Sequence, residues 1–117
     1  MKSNELRTGN LLNYDTAEGE TLPTKIDWQD LKWLSEDEKG FNLVHSPIPI
    51  TEEWLLKFGF VSNPYKDTYE KRYVVINCNK TSGELELYLD ALPIDIYHVH
   101  QLQNLYFALT GEELELT

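Results

Sequence analysis

Residues 84–90 narrow the folds open to this chain more than any other segment. In Glu84-Leu85-Glu86-Leu87-Tyr88-Leu89-Asp90, three leucines alternate with charged or hydroxyl-bearing residues. Successive side chains of a strand point to opposite faces, so this run predicts a strand with one apolar and one wet face. Sheets wetted on one side are characteristically antiparallel. Upstream, residues 69–77 are rich in β-formers (Tyr69, Tyr73, Val74, Val75, Ile76), and Lys80-Thr81-Ser82-Gly83 reads as a turn. Together they predict a β-hairpin over 69–79 and 84–90, with Pro93 closing the strand region.

Two helices are predicted by start, face and stop signals that agree. Ser46-Pro47-Ile48-Pro49-Ile50 must be extended, because each proline fixes its own φ and keeps the preceding residue out of the α region. Thr51 is then a good N-cap, and Glu52 and Glu53 place negative charge on the first turn. Trp54, Leu55 and Phe58 supply an apolar face, and Gly59 can take the left-handed position after the last turn. This predicts a helix over 51–58. The second runs over 98–109, where Val99, Leu102, Leu105, Tyr106 and Leu109 form one stripe, Gln101, Gln103 and Asn104 lie largely off it, and Gly111 is the stop.

The remaining N-terminal half is less regular. Residues 1–6 are polar and expected to fray. Leu11, Leu12 and Tyr14 follow a Gly9-Asn10 turn and predict a short strand, and residues 15–24 read as a loop. For 26–34 a helix of one or two turns is favoured, with Asp27 as cap and Asp30 in the capping-box position. The same residues also suit an extended segment with Trp28 and Trp33 as separate anchors. Residues 35–40 are a polar break, and Phe41, Leu43 and Val44 suggest a short strand. Phe60–Ser62 looks like a strand end before an Asn63-Pro64 turn. Residues 112–117 either add a last strand or tail off.

Size and charge exclude several classes. The 117 residues suit a single globular domain over 1–117. No apolar run approaches the ~20 residues that a bilayer requires. Residues 1–10 carry Lys2, Glu5 and Arg7 with no apolar core after them, unlike a secretory signal. Cys78 is the only cysteine, so no disulfide forms within the chain. These features suggest a cytoplasmic protein. The net charge is −10, and no Lys or Arg follows Lys80 while seven acids do. Such a surface repels phosphate backbones, so no direct nucleic-acid binding is expected. Self-repulsion favours a monomer or weak homodimer.

Catalytic signals are sparse. His45, His98 and His100 are the only histidines. On a helix, residues two apart diverge, and nothing in the spacing with Cys78 suggests a zinc set. Cys78 ends a strand beside two asparagines and lacks an evident base. There is no phosphate loop, dinucleotide fingerprint or nucleophile elbow. Carboxylate pairs abound, but none has a neighbour that would separate its two pKa values. No metal and no cofactor is expected. Aromatics are generous, with three Trp, seven Tyr and four Phe. Tyr65, Tyr69 and Tyr73 cluster in sequence with Lys66, Lys71 and Arg72, the one aromatic–basic patch. It is either the exposed face of a hairpin or a gripping surface.

The stretch from Ser46 to Phe60, with Pro47-Ile48-Pro49 and Thr51-Glu52-Glu53-Trp54-Leu55-Leu56-Lys57-Phe58-Gly59-Phe60, resembles one block of a family of small proteins. Val99-His100-Gln101-Leu102-Gln103-Asn104-Leu105-Tyr106-Phe107-Ala108-Leu109-Thr110-Gly111-Glu112-Glu113-Leu114 resembles a second, and Glu5-Leu6-Arg7-Thr8-Gly9-Asn10-Leu11 is similar to the usual start. The family occurs in Bacteroides-type bacterial genomes, their phages and mobile elements, and has no assigned activity. The resemblance implies an accessory protein of mobile-element origin and carries over no catalytic residue.

The expectation is therefore an α+β fold. An antiparallel sheet built on the central hairpin packs against the two amphipathic helices. Shorter N-terminal strands extend it or form a small barrel-like half. The expected function is a non-catalytic interaction with an unknown protein partner, through Trp28, Trp33, Tyr65, Tyr69 and Tyr73, and without a membrane. The alternatives are an acidic nucleic-acid mimic, prompted by the anionic C-terminal third, and a small ligand-binding protein or enzyme.

Overall fold

The capping and turn chemistry of the sequence sets most element boundaries in the computed structural model, which describes residues 1–72, 74–79, 86–89 and 92–116. In chain order the elements are β1 (Leu11–Asp15), β2 (Thr21–Lys25), α1 (Trp28–Glu36), α2 (Glu38–Val44), β3 (His45–Ser46), α3 (Glu52–Lys57), β4 (Val61–Asn63), β5 (Thr68–Lys71), β6 (Val74–Asn79), β7 (Glu86–Leu89), β8 (Leu92–Pro93) and α4 (Val99–Thr110). Both sheets are antiparallel, and the class is α+β. The chain divides into two compact units, Met1–Pro49 with His98–Leu105, and Ile50–Tyr97 with Tyr106–Thr117.

The first unit holds a three-stranded sheet in the order β2-β1-β3. Gly9 turns the chain into β1 with a φ of 97°. β1 then reverses through residues 16–20, where Gly19 takes a φ of 84°, Thr16 N donates to the Glu20 carbonyl and Glu20 N donates to Thr16 Oγ1. Residues 21–24, expected as loop, thus belong to an edge strand, β2. The reason the alternation was missing is that β2 buries almost nothing. It is held by backbone pairing, and Pro23 sits opposite Asn13 on an edge, where a missing N–H is tolerated. The sheet order is open, so the barrel-like alternative takes the form of a small sheet with two helices.

Asp27 caps α1 as expected. Its carboxylate accepts from the backbone of Gln29 and Asp30, and Asp30 returns a bond from the Asp27 N–H. The predicted strand at 41–44 is instead α2. Asp37 both ends α1 and caps α2, accepting from Gly40 N at 3.0 Å. A Cβ on Gly40 would collide with that carboxylate, which explains the glycine. Phe41 is fully buried while Leu43 is largely exposed, a contrast that a strand, placing both on one face, could not make. Only His45-Ser46 extend into β3. The core gathers Leu6, Leu12, Ile26, Leu34 and Phe41, with Met1 and Leu31 packed against it. The N-terminus does not fray as expected: Leu6 is buried, and the Met1 amino group donates to Asn42 Oδ1.

The second unit holds the five-stranded sheet β4-β5-β6-β7-β8. Thr51 caps α3 by accepting from Trp54 N, and Gly59 follows with a φ of 87°, both as predicted. The single strand expected over 69–77 is two strands. Arg72, at a φ of 56°, opens a turn, and Lys71 pairs with Val74. A continuous run of β-formers contains no Gly or Pro to announce that reversal. The expected hairpin is present as β6 and β7, with Ile76 opposite Leu89 and Asn79 opposite Glu86. Its Lys80–Gly83 turn, Tyr73 and Leu85 lie outside the described residues. Buried side chains of this unit include Leu55, Phe58, Phe60, Val74, Ile76, Leu87, Tyr106 and Leu114. Residues 112–116 add no strand among the described residues.

Candidate interaction surface

Pairing of β1 with β3 sets Tyr14 opposite His45, and α2 delivers Phe41 to the same place. The Phe41 and His45 rings stack with centroids 3.9 Å apart and planes within 6°. His45 Nδ1 lies 3.0 Å from the Phe41 carbonyl; a carbonyl only accepts, so that bond requires the proton on Nδ1. Trp33, from α1, stands perpendicular to both rings at 5.3 and 5.5 Å. Near-equal distances to two stacked rings put Trp33 beside the stack, where ring edges meet an aromatic face. Tyr14 lies tilted against His45 at 5.2 Å. Phe41 and His45 are buried, whereas Tyr14 and Trp33 are 37% and 38% exposed. Two half-open aromatic side chains therefore flank a buried, stacked pair of rings.

Of the residues expected at an interaction surface, Trp33 belongs to this group. Trp28 is 64% exposed at the first turn of α1. Five positions separate it from Trp33, so the two indoles project from different sides of the helix. Tyr65 is 96% exposed at the β4–β5 turn, but Tyr69 is buried in the second unit. Tyr73 lies outside the described residues. Two of the three cations expected beside these tyrosines are engaged elsewhere. Lys71 donates to the Phe58 carbonyl and lies 5.9 Å from the Tyr106 ring centroid, and Arg72 pairs with Glu112 at 2.9 Å. Among the described members of that patch, Tyr69 is thus buried while Lys71 and Arg72 have local partners. Tyr14, Phe41 and His45 were missed; pairing of Tyr14 with a histidine thirty-one positions away has no local signal.

The histidines at the start of α4 differ from the sequence expectation. Their rings stack, 5.7 Å apart and within 8° of parallel. His98 precedes the helix, so helical divergence does not govern the pair. His100 is buried, and its Nδ1 has no hydrogen-bond partner among the described residues. Burial holds its pKa below the usual histidine value, His98 and the N-terminal amine push the same way, and Glu5 opposes them. Among the described residues, no group of three or more His, Cys, Asp or Glu is placed to hold a metal ion. The Cys78 backbone pairs with Leu87 in the β6–β7 ladder.

A carboxamide network also lay outside the sequence expectation. Gln103 is buried, although it was placed largely off the apolar stripe. Its Oε1 accepts from Leu11 N at 2.8 Å and from Asn10 Nδ2, and its Nε2 donates to the Gly9 carbonyl. Asn104 Oδ1 accepts from Arg7 Nε and Asn10 Nδ2, while its Nδ2 donates to the Glu5 carbonyl. These bonds are internal and satisfied, which marks the cluster as a structural clamp.

No helix among the described residues is long and apolar enough to cross a membrane. Comparison with protein-family models, with curated proteins and with solved structures found no match.

Proposed function

We propose that this chain is a non-catalytic protein-interaction module, engaging its partner through the Trp33–Tyr14 face of the first unit. The observation that carries this reading is the exposure of two large aromatic rings on a buried, stacked Phe41–His45 base. Leaving such rings in water forgoes their burial, and aromatic anchors that are already ordered lose little entropy when a partner covers them. The exposed Trp28 on the same helix can widen the contact. Supporting this over a nucleic-acid mimic, at least five of the twenty acids have local partners. Asp27, Asp30 and Asp37 accept backbone N–H groups at helix starts, and Glu53 and Glu112 pair with Lys57 and Arg72.

The mobile-element origin implied by the resemblance sets the conditions of the test. Tagged protein would be recovered from its native host with and without phage infection, in parallel with Trp33→Ala and Tyr14→Ala. The expected result is a partner retained by the original chain and depleted by both variants, with unchanged far-ultraviolet circular dichroism. Equal recovery on folded variants would remove this face from the interaction.

A further inference from the structure

β2 is the outer strand of the β2-β1-β3 sheet, so one edge of its backbone has no neighbouring strand. Hydrogen bonds at both ends of the β1–β2 ladder establish which groups lie along that edge. Thr16 N donates to the Glu20 carbonyl, and Ile26 N donates to the Asn10 carbonyl. In an antiparallel ladder, bonded and non-bonded residue pairs alternate. With the observed register, the bonded pairs between those ends are Leu12–Thr24 and Tyr14–Leu22. Thr21, Pro23 and Lys25 belong to the non-bonded pairs, so their main-chain N and C=O groups point outward. All three residues are exposed. The other edge strands are short, two residues in β3 and β8 and three in β4. β2, with five, is long enough to template a further strand. Pro23 is the middle one of its three outward positions.

In a solution of the pure chain, the strand on offer is β2 of another copy. In a two-fold antiparallel pair centred on residue 23, Lys25 lies opposite Thr21 and Leu22 opposite Thr24, so no like charges meet within the strand. Proline is what stands against this pairing. At residue 23 each copy lacks the N–H that a bonded pair exchanges, and each ring projects from its outward nitrogen into the space the second backbone needs. We infer that Pro23 is the guard that keeps the β2 edge from pairing with β2 of a second copy of this chain.

The test is sedimentation velocity over a concentration series of the full-length chain, Pro23→Thr and Pro23→Val, joined to amide hydrogen exchange. Both substitutions restore the N–H and leave every β1–β2 bond in place, so circular dichroism should be unchanged. Two regained backbone bonds, one from each copy, should strengthen self-association by about tenfold or more. The Thr21 and Lys25 amides should gain protection as the concentration of either variant rises. Moving the proline within the outward set, by Lys25→Pro or Thr21→Pro added to Pro23→Thr, should return association towards that of the original chain. Self-association of Pro23→Thr and Pro23→Val no stronger than that of the original chain would overturn the inference. So would dimers that leave the Thr21 and Lys25 amides unprotected, an original chain that already protects them as it associates, or undiminished association after the proline is moved.

Discussion

His100 shows how one side chain acquires a property that its neighbours in sequence do not announce. It lies in the first turn of a helix, a position that is often exposed, yet it is buried with Nδ1 unpartnered among the described residues and the His98 ring stacked alongside. Desolvation, with His98 and the N-terminal amine adding to it and Glu5 opposing, lowers its pKa below 6.5. The folded chain therefore binds this proton less readily than the unfolded chain. Stability is unaffected by His100 well above pH 6.5 and falls as pH drops through that value towards the folded pKa, where the loss saturates. Urea unfolding at pH 7.5 and 5.5 should show a decline in the original chain that is smaller in His100→Phe. An equal decline in both would assign the pH dependence to other groups. The residue scale also separates what was readable from what was not. Asp27, Thr51 and Gly59 were legible because a cap acts on backbone within three residues. Tyr69, expected at the surface, is buried because the pairing of β5 within its sheet, which no local pattern announces, decides its environment.

At the scale of elements, α4 is tied at its start to segments far away in sequence. Gln103 and Asn104 hold Glu5, Arg7, Gly9, Asn10 and Leu11, and Val99 N donates to the Ile48 carbonyl, with Pro49 bridged to His98. Residues 5–11 and Ile48 are thus each bonded to α4, which ties together segments distant in sequence. Replacing Gln103 with Leu keeps the approximate volume but strands the Leu11 N–H and the Gly9 carbonyl. Each buried group left unsatisfied costs ~1–3 kcal/mol, so Gln103→Leu should lower stability by about 3 kcal/mol. Gln101→Leu, which gives up the part-buried bond from His98 N, should cost less. Comparable urea midpoints for Gln103→Leu and the original chain would show that the clamp is dispensable. Elements held by such pairing are the ones the sequence concealed: β2, an edge strand without an apolar face, and α2, whose start depends on Asp37 serving two helices.

For the whole molecule, the net charge of −10 opposes compaction. Only modest relief comes from exposed pairs such as Lys57–Glu53 and Arg72–Glu112, since surface ion pairs contribute about 0–1 kcal/mol each. Raising ionic strength shortens the Debye length and screens the repulsion. The urea midpoint should therefore rise with NaCl. A midpoint that decreases with salt would mean that attractive pairs outweigh the repulsion.

The sequence by itself determined the α+β class, the helices at α3 and α4 and the β6–β7 hairpin, and it favoured α1 without excluding an extended segment. Caps, dipoles and periodicity act over a few residues, so a linear reading can recover them. Only the tertiary structure decided that Phe41 lies on a helix, that 69–77 reverses at Arg72, and that Gln103 is buried at a clamp. It also decided that Trp33, alone among the expected surface aromatics that are described, joins Tyr14, Phe41 and His45. Those outcomes depend on strand register and on hydrogen bonds across dozens of residues, where no local pattern specifies the partner.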